Sequence, residues 1–100
     1  MIPPVRIDGA LVIRWSLIDK RHQATGNCKH FVAGFLQNPA AGLAICRYQD
    51  GEFYLFGCDD CWNCITDTCH ATLEEAMNQA EFEYEGITIT WNSVENHRKS

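Results

Sequence analysis

Four of the chain's six cysteines fall in fourteen residues, GCDDCWNCITDTCH at 57–70. They are Cys58, Cys61, Cys64 and Cys69, with His70 beside the last. Zinc takes four thiolate or imidazole ligands at tetrahedral geometry, and C-x₂-C steps suit the tight turn that presents two of them. The spacing also approaches the bacterial ferredoxin run. That run closes with C-x₃-C-P, whereas four residues and no proline follow Cys64 here, which speaks against an iron–sulfur cluster. A strand over 62–69 would point Cys64 and Cys69, five apart, to opposite faces and away from one ion. Reduced cysteine also packs as a small hydrophobe. The expectation is therefore packing residues and no cofactor. A zinc-binding module through Cys58, Cys61, Cys64, Cys69 and His70 is the alternative.

A second group with chemical potential lies in DKRHQATGNCKH, 19–30, which holds Asp19, Lys20, Arg21, His22, Cys28, Lys29 and His30. A cysteine, a histidine and an aspartate can act as nucleophile, base and orienter. Nearby cations would lower the Cys28 pKa. Such groups are assembled in space, so a shared loop does not show that they meet. A solvated basic loop is the expectation, and a thiol enzyme is a further alternative. Trp15, Trp62 and Trp91 suit a core more than a ligand cavity. The chain has no Gly-rich phosphate loop, G-x-S-x-G elbow, H-E-x-x-H helix or EF-hand pattern. No enzymatic activity is expected.

These residues must be held by elements that the pattern predicts. ALVIRWSL at 10–17 reads as a strand, and FVAGFLQ at 31–37 as another that stops at Asn38-Pro39. GLAICRYQ at 42–49 and EFYLFGC at 52–58 flank Asp50-Gly51, a hairpin signal for a type I′ turn. WNCITDTC at 62–69 follows after a turn at Asp59-Asp60. Then the period changes. Thr72-Leu73-Glu74-Glu75 is a capping box, opening a helix that runs to about Glu85 and ends at Gly86. Leu73, Ala76, Met77, Ala80 and Tyr84 form its apolar stripe. ITITW at 87–91 alternates and predicts a last strand with Ile87, Ile89 and Trp91 on one face. The expected architecture is a single α+β domain over 1–100: an antiparallel sheet of four to six strands, one amphipathic helix on one face, and loose ends at 1–9 and 93–100.

The stretch FYLFGCDDCWNCITDTCHATLEEAMNQAEFEYEGI, with PAAGLAICRY before it, resembles small uncharacterised bacterial proteins of the kind carried on mobile gene cassettes (integron cassettes). The similarity covers about 10–92. It implies the α+β fold and no particular activity. The chain is more weakly similar to HicB-like antitoxins, which also set a hairpin before a T-x-E-E-A helix.

Composition narrows the function. With 46% hydrophobic and 11% aromatic residues, a folded core is expected. The longest apolar stretches are too short to span a bilayer. The start, MIPPVRIDGA, lacks the pattern of a signal peptide, so a cytoplasmic location with reduced thiols is expected. Charge is uneven: residues 1–47 carry six Lys/Arg against two Asp/Glu, and residues 48–96 carry eleven Asp/Glu and no Lys or Arg. That acidic part repels nucleic acid and anionic membrane and attracts a cationic partner. Phe82 stands on the helix about 180° from the apolar stripe, amid Glu74, Glu75 and Glu85. An aromatic among acids is a candidate anchor for a partner. The leading expectation is a non-enzymatic protein-interaction domain. It would bind another protein or form a homodimer through Phe82, Glu74, Glu75 and Glu85, with no nucleic acid and no membrane as partner.

Overall fold

The computed structural model describes residues 2–27, 31–32, 35–36, 39–49 and 51–94. Ten strands and one α-helix occur among them: β1 Arg6–Ile7, β2 Ala10–Leu17, β3 Gln23–Ala24, β4 Phe31–Val32, β5 Phe35–Leu36, β6 Gly42–Arg47, β7 Phe53–Cys58, β8 Cys64–His70, α1 Leu73–Glu83, β9 Tyr84–Glu85 and β10 Asn92–Ser93. The main sheet is antiparallel in the order β1-β2-β6-β7-β8, and β10 also pairs with β2. Two small pairs, β3 with β9 and β4 with β5, stand apart from it. The α+β architecture is as the sequence pattern predicts: one helix packs on one face of a curled antiparallel sheet.

Alternation along the strands creates two apolar faces. Leu43, Ile45 and Leu55 meet Ala76, Ala80, Tyr84 and Ile87, with Leu73 and Met77 at the margin. The predicted helical stripe is thus the buried one. The opposite face gathers Val12, Ala44, Cys46, Phe56, Cys58 and Trp62. Strand β6 is buried on both sides from Gly42 to Cys46, as a continuous apolar run in a central strand requires.

The helix starts as its sequence dictates. The Glu75 amide donates to Thr72 Oγ1 at 3.1 Å, and the Glu75 carboxylate accepts from the Ala71 amide at 3.2 Å. It stops at Glu83, two residues early, because Tyr84 and Glu85 pair with Ala24 and Gln23.

Four other expectations are corrected. Residues 87–91 are not a strand: Ile87–Ile89 is a 3₁₀ turn. Gly86, at φ +95°, reverses the chain, and Glu81 accepts from the Gly86 amide and from the amide and hydroxyl of Thr88. Ile87 is consequently buried while Ile89 is exposed. In place of the single strand expected over 31–37, Phe31–Val32 and Phe35–Leu36 are two short strands that pair antiparallel, with Phe31 opposite Leu36. The β6–β7 connection is not a two-residue turn, which would face Gln49 with Glu52. Arg47 faces Phe53 instead, the Gly51 amide donates to Tyr48 O, and Gly51 takes φ +124°. Finally, β8 begins at Cys64 because Asp59 organises the preceding loop. Its Oδ1 accepts from the amides of Cys61 and Asn63 at 2.9 and 2.8 Å, and Trp62 is left at φ +63°.

Candidate interaction face and the separated cysteines

The outward side of α1 is built by the helical period itself. With 3.6 residues per turn, a position seven residues from Phe82 falls on nearly the same side, one to two turns away. That position is Glu75, about 10 Å along the axis. Phe82 is 51% exposed, and Glu74, Glu75 and Glu85 are exposed as well. Glu85 follows in β9, where pairing with Gln23 fixes its backbone. The loop after β3 secures the base of this face: Thr25 Oγ1 and Asn27 Nδ2 both donate to Phe82 O, at 2.6 and 3.1 Å. The backbone beneath the ring is anchored while the ring remains open to contact. Glu75 thus shares a side with an accessible aromatic while its carboxylate accepts from the Ala71 amide, and another acid nearby is also committed to the fold. Glu81 turns inward along the helix end to hold Gly86 and Thr88, and the Thr88 hydroxyl pulls its carboxyl below the usual range.

The five proposed metal ligands do not converge. A bulge at Ile65 shifts the β7–β8 register, so Cys58 faces Cys64 while Tyr54 faces Cys69. The bulge also corrects the expectation that Cys64 and Cys69 point apart: both lie on the face shared with Tyr54 and Cys58. They are still separated by four residue pairs, about 13 Å along the strand. Cys58 is buried, Cys61 is exposed on the loop, and His70 turns to the other face, where its Nε2 meets Thr68 Oγ1 at 2.7 Å. Among the described residues, the potential ligand atoms that do gather are those of Asp59, Asp60 and Cys61. The Asp59 carboxylate there already binds Cys61 and Asn63 amides.

The thiols of Cys46, Cys58, Cys61 and Cys64 are poor nucleophiles for a physical reason. Burial pushes Cys58 up to about 12 and Cys64 up to about 11, and raises Cys46 further. Asp60 and Asp59 raise Cys61 by repulsion, despite its exposure. A reactive cysteine needs the reverse, a cationic setting that favours thiolate. Cys28, Lys29 and His30 lie outside the described residues.

The rest of the predicted thiol-enzyme group forms a structural knot. Arg21 grips Asp19 through its Nε and Nη2 and holds that carboxyl down at about 2. His22 Nε2 meets Thr90 Oγ1 at 2.8 Å, and Nδ1 lies 3.5 Å from Asp19 Oδ1, which at first sight resembles a hydroxyl–imidazole–carboxylate relay. The hydrogen bonds give these groups a structural part. The Asp19 amide donates to Nδ1 at 3.1 Å, so the neutral ring carries its proton on Nε2 and donates to Thr90. Thr90 in turn donates to Ile87 O. Ser16, buried under Thr90 at 2.8 Å, completes a clamp joining the end of β2 to the 3₁₀ turn.

The tryptophans divide between the two cores. Trp15 and Trp62 meet edge-to-face at 6.1 Å on the face away from the helix, while Trp91 packs on the helix side. They do not line one cavity. Sequence reasoning assigned no role to Arg6, Arg14 or Arg47, yet the sheet brings them to one groove. The signal was there in the excess of cations before residue 48. What was missing was the strand register.

Comparison with family models, with curated proteins and with solved structures found no match. No helix among the described residues is long and apolar enough to cross a membrane.

Proposed function

We propose that the protein is a non-enzymatic protein-interaction domain that docks a basic partner protein against the outer face of α1. The observation that carries this reading is Phe82, half exposed on a helix whose other side is fully used by the core. Glu74, Glu75 and Glu85 supply the charge that steers a cationic surface toward it. A symmetric homodimer through the same face would bring these carboxylates against their own copies, so a different protein fits the charge better.

The test begins with Phe82→Ala in a urea melt. A half-exposed ring should contribute under about 1.5 kcal/mol to folding, against about 3–5 kcal/mol for a buried phenylalanine. A photo-crosslinking residue at position 82, installed in cells, should then yield a discrete adduct with a basic protein. Reversing Glu74 and Glu75 should reduce the adduct. A stability loss in the buried range, or an adduct indifferent to charge reversal, would remove the basis of this reading.

A further inference from the structure

Arg6, Arg14 and Arg47 come from β1, β2 and β6, and the sheet register explains why they meet. Arg6 pairs with Leu11, and Leu11 pairs with Arg47 on its other side. The row continues from Arg47 to Phe53 on β7. Neighbouring strands lie about 4.8 Å apart, so Arg6 and Arg47 stand about 10 Å from each other with Leu11 between them. The bulge at Ile13 brings Arg14 into the same groove. Leu73, the first residue of α1, forms the opposite wall.

The groove holds about 620 Å³, within the range of small-molecule sites. Its apolar lining comes from Leu11, Ile13, Phe53 and Leu73, and its polar lining includes the guanidinium ions of Arg6 and Arg47. Among the described residues, no Asp or Glu lines it. The Arg47 guanidinium lies 4.8 Å over the Phe53 ring, and its Nε donates to Gly51 O at 3.2 Å. One bond of this kind leaves most of the five donors of the fork for another acceptor. Arg6 and Arg47 thus flank one groove of a protein whose net charge is −5, while Arg14 lines it with its Nη1 donating to Ile13 O. Like charges at this spacing repel, and an anion between them relieves that repulsion.

We infer that this groove binds a small amphipathic anion, with a carboxylate between Arg6 and Arg47 and an apolar body along Leu11, Phe53 and Leu73. Planar guanidinium forks match a carboxylate in two-point geometry. The apolar floor selects a ligand with a hydrocarbon part over a bare anion. The size of the groove and the acidity of the whole molecule favour a small singly charged ligand, because a polyanion would be repelled by the remaining surface.

The test is an amide NMR titration of ¹⁵N-labelled protein with octanoate, octanol and inorganic phosphate. Octanoate should give saturable shifts centred on Leu11, Arg47, Phe53 and Leu73. Arg6→Gln and Arg47→Gln should each weaken its binding by about tenfold or more, as for loss of a charged hydrogen bond. Retained spectral dispersion in each variant would show that it is folded, and Arg47→Lys, which keeps the charge but loses the fork, should bind with intermediate affinity. Octanol matching octanoate would reduce the groove to an apolar surface. Phosphate matching octanoate would leave only a charge site, without the ligand body. Either result overturns the inference, as do shifts centred elsewhere or unchanged affinity in both glutamine variants.

Discussion

Gly42 has no side chain because the Trp62 indole occupies that space. A Cβ built at position 42 would lie 2.7 Å from Trp62 Cη2 and 2.9 Å from Cζ3, well inside the 3.5–4.0 Å at which carbon atoms sit comfortably. In Gly42→Ala the ring must therefore move by about 1 Å. It has little freedom to do so. Trp62 is 6% exposed, its edge is set against Trp15, and its backbone is held at positive φ by the loop bonds to Asp59. Overpacking of this kind costs about 1–3 kcal/mol. For a domain of this size that is a fall in Tm of roughly 5–20 °C. Trp62→Ala alone should cost about 3–5 kcal/mol through lost burial. In the double variant the alanine at 42 no longer meets a ring, so its penalty should vanish. Urea melts of all four proteins close the cycle, and a favourable coupling of about 1–3 kcal/mol is expected. Near-ultraviolet circular dichroism should report the displaced ring in Gly42→Ala. If that variant matched wild type within about 0.5 kcal/mol, or if the two penalties simply added, the contact would not be what keeps glycine there.

Thr72→Ala should lower stability by about 0.5–2 kcal/mol, seen as a reduced denaturant midpoint, because the Glu75 amide loses its acceptor. Gly86→Ala should cost about 2–4 kcal/mol in a thermal melt, since it combines a left-handed φ with a Cβ only 2.7 Å from Arg21 O. Glu81→Gln should cost about 0.5–1 kcal/mol at pH 7, a modest figure because the carboxylate is largely solvated and screened. The folded-state pKa of Glu81 is depressed below its ordinary 4.5. Its contribution is therefore complete above that value and is lost as pH falls through the folded pKa. The gap between wild type and Glu81→Gln should be widest near neutrality and should close under acid in paired urea melts.

The sequence by itself determined the elements whose information is local. Thr72 and Glu75 are three residues apart and cap a helix by direct contact. The 3.6-residue period placed Ala76, Ala80 and Tyr84 in the core and left Phe82 outside it. The apolar run at 42–46 reads as a central strand because both its faces are covered. Only the tertiary structure decided the rest, and in each case a distant group outweighed local pattern. ITITW alternates like a strand, but the Glu81 carboxylate and Gly86 wind its first residues into a 3₁₀ turn. Helical propensity would have carried α1 to Glu85, but pairing with Gln23 and Ala24 took the last two residues. The close spacing of the cysteines left a shared ligand open as the alternative, yet at about 3.3 Å per residue the β7–β8 pairing holds Cys69 far from Cys64 on the same face, and Cys61 stays exposed on the loop. Conversely, Arg6, Arg14 and Arg47 are far apart in the chain and adjacent in the groove, because two strand pairings, each set by burial of one face, align them. Register is a relation between strands, and no single segment contains it.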